Sequence, residues 1–261
     1  MRVESDERQW RNWPGAAAPG YARAFGAQPQ DLDVDFAQPR AALVSALLAA
    51  CLRREDAERW NNDEVWSWTL AQRLQALLAI ARASGIDAFT VIQSCTRCEE
   101  LFELDLDAQA FERAEETVEF EWSPVPEHTV RVALPVGRDQ HAWSAVDGLS
   151  ASVMARTLIR SPAPQTDFPP AWLDALAHEL EQRDPLTALE IDTECPACGA
   201  PARLPFDLEA QLLMQLQTRQ RRTLEDVHRL ASVYHWSEAT ILELPDWRRR
   251  YYIAQLNARH A

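Results

Sequence analysis

Cys95-Thr-Arg-Cys98 and Cys195-Pro-Ala-Cys198 are two Cys-x-x-Cys pairs, and together they supply four soft ligands for one metal ion. An alternating, strand-like run precedes each pair and another follows it, which predicts two β-hairpins with the cysteines at their turns. Four thiolates complete a tetrahedral site, so we expect the metal to be a structural Zn²⁺. Because ninety-six residues separate the pairs, such a site joins distant parts of the chain.

Two other uses of the cysteine pairs remain open from sequence. A disulfide is one, although the charged residues 1–8 lack the apolar segment of a signal peptide. A thioredoxin-like redox pair is the other, although neither pair opens a helix after a buried strand. The two turns also differ, because Gly199 suits a positive φ after Cys198 whereas Glu99 follows Cys98. The fifth cysteine, Cys51, lies in an apolar run and is expected to be buried.

The amino-acid composition and the net charge limit which kinds of partner this protein is expected to bind. The chain has 261 residues, of which 47% are apolar, so it can bury a substantial core. Its formal net charge of −14 argues against nucleic acid or an anionic membrane as the main partner. The longest apolar run, 41–52, is too short to span a bilayer. Reduced cysteines and the lack of an export signal predict a cytoplasmic location.

The pattern along the chain predicts an α+β fold that is mainly helical. Residues 1–37 lack periodicity and are rich in Gly and Pro, so we expect an extended or disordered arm that is dispensable for folding, or one that lies on its own domain. Residues 38–206 form the zinc-containing body, with an inserted α+β module at 99–194. Residues 207–261 form a C-terminal helical segment.

The periodicity also predicts individual elements. The expected helices are 40–54, 63–84 with Asp63 as its cap, 140–146, 149–160, one beginning at Pro169, 208–234 capped by Asp207, one capped by Ser237, and one beginning at Pro245-Asp246. The expected strands are 89–92 and 101–106 at the first cysteine pair, a run through Leu189 and Ile191 into the second, and a hairpin joining 118–122 to 130–134.

The sequence gives no sign of an active site. It contains no phosphate-binding loop, no GxSxG turn and no HExxH motif, and His178-Glu179 lacks the second histidine of a zinc protease. A zinc-dependent enzyme would need an open position on the metal, which four cysteines do not leave. We therefore expect no enzymatic activity and no small-molecule substrate.

The C-terminal region resembles a known family. The segment 227–245, VHRLASVYHWSEATILELP, followed by Arg248-Arg-Arg-Tyr-Tyr-Ile253, resembles the C-terminal signature of the T4-type baseplate hub assembly chaperones. That family occurs in contractile-tailed phages and extracellular contractile injection systems. Cys195-Pro-Ala-Cys-Gly199 matches its CPxCG knuckle, and Leu134-Pro-Val-Gly-Arg-Asp139 resembles its LPTGxD segment with Val136 in place of Thr. The resemblance covers about 64–257, and the first cysteine pair departs from CPxCG.

This resemblance implies a non-enzymatic assembly factor or minor structural component of a baseplate, with hub or wedge proteins as partners. It leaves open whether the protein stays in the finished particle. Residues 216–261 carry eight arginines against five acidic residues, unlike the acidic remainder. Arginine beside aromatic residues is typical of contact surfaces, although the same residues could be core and solvated surface. The residues expected to bind a partner are Tyr234, Trp236, Trp247, Arg248, Arg249, Arg250 and Tyr251.

A zinc-ribbon regulator that binds nucleic acid or the transcription machinery is the alternative. It would explain the cysteine pairs. The net charge and the lack of a basic stretch beside either pair count against it.

Overall fold

The computed structural model describes residues 10–13, 20–56, 58–112, 118–125, 128–161 and 169–260. It contains helices and antiparallel sheets, which confirms the α+β class. Within these ranges, none of the helices combines the length and the apolar character needed to cross a membrane.

Two sheets have three strands, β1-β2-β3 and β6-β7-β8, and two are simple hairpins, β4-β5 and β9-β10. The helices are α1 (Pro29–Leu32), α2 (Arg40–Cys51), α3 (Asn62–Ser67), α4 (Leu70–Ala83), α5 (Gly137–Ser144), α6 (Ala151–Leu158), α7 (Pro170–Arg183), α8 (Leu208–Tyr234), α9 (Glu238–Leu242) and α10 (Asp246–His260). The strands are β1 (Trp10–Trp13), β2 (Gly20–Arg23), β3 (Leu52–Arg54), β4 (Ala88–Ser94), β5 (Leu101–Asp107), β6 (Glu119–Val125), β7 (His128–Ala133), β8 (Ile159–Ser161), β9 (Glu190–Glu194) and β10 (Pro201–Pro205).

The main hydrophobic core lies between α2, α4 and the first half of α8. Helices α2 and α4 are apolar over most of their surface, as expected of helices that are covered on several sides. Cys51 is fully buried among them, as predicted, and burial raises the pKa of its thiol to about 12. The core draws residues from both ends of the chain, from Trp13 and Phe25 to Leu212 and Leu216.

The described part of residues 1–37 lies on the body of the protein, which is the second of the two alternatives expected for this arm. Strand β2 lies between β1 and β3, so the segment completes a sheet with residues that follow α2 directly. This pairing also explains why the predicted helix 40–54 ends early, because Leu52–Arg54 is extended. Phe25 is fully buried in the main core. The sequence pattern missed this because the segment is held by specific polar contacts rather than by a periodic apolar face.

A buried ion pair holds that segment in place. Arg23 and Asp31 form two hydrogen bonds of 2.6 and 2.7 Å, and their side chains are only 2% and 0% exposed. One Asp31 oxygen also accepts hydrogen bonds from the backbone N–H groups of Gly26, Ala27 and Gln28. Both charges are therefore satisfied inside the fold, as a buried ion pair requires.

The predicted helix 63–84 is two helices, α3 and α4, with a break at Trp68. Thr69 caps α4, because its hydroxyl accepts from the Gln72 N–H while the Gln72 side chain accepts from the Thr69 N–H. Asn61, not Asp63, caps α3 in the same way. The Thr-x-x-Gln pattern is a capping box, a signal that the helical periodicity had hidden.

The inserted module has its own small core, drawn from residues between Phe120 and Leu180. It docks on the body through the Leu134–Asp139 segment. There Leu70 donates a backbone hydrogen bond to Pro135, and Gly137 donates one to Trp68. The buried guanidinium of Arg73 lies directly against Gly137, where a Cβ would be 2.5 Å from Nη1. Glycine in this segment therefore makes room for the arginine.

A second buried charge lies where the module returns to the body. Asp184 is 1% exposed, and within the described residues its carboxylate makes no hydrogen bond of ordinary geometry. Burial raises the pKa of Asp184 to about 6, although the nearby backbone N–H groups of Thr187, Ala71 and Leu186 oppose this rise. The ionised form of Asp184 therefore destabilises the folded state.

The last part of the chain forms a third packing unit on the end of α8. Apolar residues of α9 and α10 pack against Val227 and Leu230. The Arg219 side chain ties this unit to the rest, because it donates to the carbonyls of Phe25 and Ser84 and to the Asp246 carboxylate. Helix α8 matches its predicted bounds, and the Asp207 and Ser237 caps are confirmed.

We predict that Asp31→Ala destabilises the fold by about 3–5 kcal/mol, because it leaves the buried Arg23 without its counter-charge. Asp33→Ala is the matched control, since Asp33 is exposed two residues away. Urea unfolding followed by circular dichroism measures both variants. Equal effects of the two substitutions would mean that residues 20–37 are not part of the core.

We predict that Asp184→Asn stabilises the protein at neutral pH, by up to about 3 kcal/mol for a pKa shift of this size. An aspartate with a raised folded-state pKa favours folding below its unfolded pKa near 3.8, and this advantage is lost as the pH rises to about 6. The stability difference between variant and wild type should thus be largest above pH 6 and shrink towards pH 4. Thermal melts across this range test it, and a difference that does not change with pH would contradict it.

Candidate metal centre and contact surface

The two cysteine turns have the same backbone structure. In the first, Cys95 N–H bonds to the Glu100 carbonyl and Glu99 N–H to the Cys95 carbonyl. In the second, residues numbered one hundred higher make the equivalent bonds, from Cys195 to Ala200 and from Gly199 to Cys195. The flanking strands pair in equivalent registers, with Ser94 opposite Leu101 and Glu194 opposite Pro201.

The structure brings the four predicted ligands together. The sulfur atoms of Cys95, Cys98, Cys195 and Cys198 all lie within 4.8 Å of one another. Two cross-hairpin distances, Cys95 to Cys198 and Cys98 to Cys195, are both 3.7 Å. A zinc–sulfur bond of about 2.3 Å requires sulfur–sulfur separations of about 3.8 Å in a regular tetrahedron. The donor set and its geometry therefore fit one tetrahedral metal ion.

The same distances distinguish this site from a disulfide. A sulfur–sulfur bond is about 2.0 Å long, whereas all four cysteines here are free thiols. Four thiolates in a tetrahedron suit zinc and also iron. The cysteine cluster thus has the geometry of a metal-binding site.

The turns also affect the acidity of the sulfurs. The backbone N–H groups of Cys98 and Arg97 lower the pKa of Cys95 to about 6, and the Arg97 nitrogen lies 3.4 Å from the Cys95 sulfur. A divalent cation would supply the positive charge that allows all four thiols to ionise together.

The two turns reach this geometry at different cost. In each turn, the residue that follows the second cysteine of the pair has a left-handed backbone, with φ of 67° at Gly199 and 60° at Glu99. Glycine adopts this conformation freely, but a residue with a Cβ is strained there. The sequence difference noted between the two pairs therefore corresponds to local strain in the first turn.

The hairpins are joined at both ends. At the turns, Phe102 packs against Cys95 and Cys195 in a small cluster. At the opposite end, the rings of Phe111 and Phe206 stack with centroids 5.5 Å apart, and Phe89 meets both edge-on or tilted. Because Phe89 begins the first hairpin and Phe206 follows the second, this trio fixes the hairpin bases while the sulfurs fix the tips.

The aromatic residues predicted to bind a partner fall into two groups. Tyr234 and Trp236 stack with centroids 4.8 Å apart, and Tyr252 meets both edge-on. This group fills the space between α8, α9 and α10 and is partly buried. Trp247 and Tyr251 lie one turn apart on α10 and are 69% and 57% exposed.

The three consecutive arginines also divide. Arg248 and Arg250 are exposed, and the Arg248 guanidinium lies 5.7 Å from the centre of the Tyr252 ring. Arg249 is only 5% exposed and pairs with Asp246 at the start of α10. The expectation that Arg249 contacts a partner is therefore wrong, because every third or fourth residue of this helix faces the core. We call the exposed residues Trp247, Arg248, Arg250 and Tyr251 the α10 face.

The chain matches no protein-family model, and no curated protein or solved structure matches it at a significant level.

We predict that protein purified under reducing conditions contains one zinc ion per chain by elemental analysis. The double variant Cys195→Ser/Cys198→Ser should lose the metal and its cooperative melt, because two ligands remain and structural zinc contributes roughly 10–16 kcal/mol of apparent binding energy in small peptides. Cys51→Ala is the control and should retain full metal content. Protein without metal, or metal retained by the double variant, would contradict the assignment.

We predict that Glu99→Gly stabilises the protein by about 0.5–1 kcal/mol, because it relieves the left-handed strain. Glu99→Gln removes the same charge but keeps the Cβ, so it separates the electrostatic effect from the backbone effect. The reverse change, Gly199→Ala, should destabilise the protein by a similar amount through the same left-handed strain. An added Cβ meets no atom within 4 Å there, so a steric clash does not contribute to the effect. A Glu99→Gly variant no more stable than Glu99→Gln would refute the strain argument.

Proposed function

We propose that this protein is a non-enzymatic assembly factor or minor structural component of the baseplate of a contractile phage tail or injection system. It acts through protein–protein contacts, and a structural Zn²⁺ in the four-cysteine cluster maintains its shape. The observation that carries the proposal is the C-terminal signature at 227–253, whose exposed aromatic and arginine side chains form the α10 face.

The metal site supports a structural role. Four sulfur ligands leave no position where substrate or water could bind the metal. The cluster joins two hairpins, so its chemistry serves to hold the body together. An activity that depends on contact surfaces needs such rigidity and needs no catalytic metal.

The α10 face supports recognition of another protein. Trp, Tyr and Arg dominate the energetics of protein interfaces because they combine a large apolar area with directed polar groups. Arginine also binds planar carboxylates with two parallel hydrogen bonds and stacks on aromatic rings. The opposite side of α10 faces the core, where Arg249 pairs with Asp246 and Leu256 is buried, so the α10 face is the side of this helix that presents exposed aromatic and arginine side chains.

The alternative, a zinc-ribbon regulator that binds nucleic acid, has weaker support. The exposed faces of the two hairpins carry Glu103, Asp105 and Asp192. Carboxylates at these positions repel phosphate groups, whereas nucleic-acid contacts require clustered cations. On the described residues of the two hairpins the cations are Arg97 and Arg203, and Arg203 already pairs with Asp192.

We predict that the protein co-purifies with a hub or wedge subunit when it is expressed together with the neighbouring tail genes. Two contact variants, Trp247→Ala/Tyr251→Ala and Arg248→Ala/Arg250→Ala, should reduce co-purification at least tenfold with little change in melting temperature. Arg249→Ala is the matched control: it should lower the melting temperature, and its folded fraction should still bind.

Absence of any baseplate protein in the wild-type pull-down would overturn the proposed function. Contact variants that bind as well as wild type would show that a different surface is used. Salt-sensitive retention of duplex DNA by the purified protein would favour the regulator instead.

A further inference from the structure

The first hairpin, β4-β5, carries a pair of exposed apolar side chains that packing within the fold does not explain. Ile92 and Leu101 lie on adjacent strands of the same outward face and are 63% and 68% exposed. Together with Trp247 at 69%, they are the most exposed large apolar side chains in the described residues. Apolar side chains that are left open on a rigid hairpin are a mark of a contact surface.

The second hairpin provides an internal comparison. Its equivalent positions, in the same register and with the same turn, are Asp192 and Pro201. The cysteine turn therefore does not require apolar residues there. The apolar side chains at these positions therefore occur in the first hairpin and not in the second, and both Ile92 and Leu101 are mostly exposed.

The charges around the pair differ in the same way. In the second hairpin Arg203 neutralises its neighbours, at 2.8 Å from Asp192 and 3.6 Å from Glu190. The first hairpin has Glu103 at the position equivalent to Arg203. No ion pair in the described part of the chain involves Glu103 or Asp105. The first hairpin thus presents an apolar centre beside carboxylates that have no ion-pair partner in the described residues, although Asp105 accepts a hydrogen bond from the Thr90 hydroxyl.

The α10 face has the complementary chemistry. It presents two exposed aromatic rings, Trp247 and Tyr251, between the exposed arginines Arg248 and Arg250. An apolar centre beside carboxylates on one surface and an aromatic centre beside arginines on the other can desolvate together and pair their charges. Both surfaces occur once on the same chain and lie on different elements.

We propose that a second copy of this chain docks its α10 face on the Ile92/Leu101 face of the first hairpin. The contact is heterologous, so repetition gives an open array or closes into a ring. The patch is small and each copy has a net charge of −14, so the contact is weak and depends on protein concentration. The inference rests on the proposed function only in using the α10 face, and a baseplate partner on that face would compete with the second copy.

Sedimentation velocity of the purified, zinc-loaded protein over a range of concentrations tests the proposal without any baseplate protein. Wild type should form dimers and larger species. The hairpin variant Ile92→Thr/Leu101→Thr and the helix variant Trp247→Ala/Tyr251→Ala should each be monomeric when alone. An equal mixture of the two should form a dimer and nothing larger, because one intact hairpin face and one intact α10 face remain.

Val146→Thr/Val153→Thr is the control, since it removes two exposed apolar side chains elsewhere and should associate like wild type. Charge reversal gives an independent measurement: Glu103→Arg and Arg250→Glu should each weaken association at least fivefold, and their combination should restore it. Unchanged melts and zinc content establish that each variant is folded. A wild type that remains monomeric, or a mixture of the two blocked variants that remains monomeric, overturns the proposal.

Discussion

The four-sulfur cluster is the constraint on which the rest of the structure depends. Two-stranded hairpins are marginally stable in water, and the strands of the second hairpin contain no fully buried residue. Each hairpin is therefore held by what it is tied to. The Phe89–Phe111–Phe206 trio joins the two hairpins at their bases, and the four clustered sulfurs bring their tips together. The chain between them must begin and end at fixed points, which is why a module with its own core can be inserted there without disturbing the body.

A second set of contacts connects the main body to the proposed recognition surface. Arg219 reaches the N-terminal segment, the end of α4 and the first turn of α10 with a single guanidinium. Asp246 on α10 pairs with both Arg219 and Arg249. Burial alone would raise the pKa of the Asp246 carboxyl, but Arg219 holds this pKa below its usual value. The orientation of the α10 face is thus set by residues that lie outside that face. Substitutions in the N-terminal segment are expected to reach the contact surface through this arginine.

The sequence predicted those features that arise from local, repeated patterns. The cysteine spacing identified the four residues that cluster, and the caps and periodicity located α8 to α10 closely. The contacts that hold the N-terminal segment could not be predicted, because Arg23 and Asp31 carry no apolar period and are recognisable only through their burial against each other. The break at Trp68 was missed although Thr69 and Gln72 form a recognisable capping box. Arg249 was grouped with its neighbours because three adjacent arginines look alike in sequence, and only the helix rotation separates the buried one from the exposed two.

The distance between the cysteine pairs has a consequence for synthesis. A ribosome adds about 5–20 residues per second, so the second pair emerges roughly 5–20 seconds after the first. During that interval the nascent chain exposes two thiols that cannot close a metal site. The main core is incomplete for still longer, since it includes Leu212 and Leu216 of α8. The body therefore completes its core only after Leu212 and Leu216 have been synthesised, and chains interrupted before Cys195 have neither the complete cysteine cluster nor the complete core.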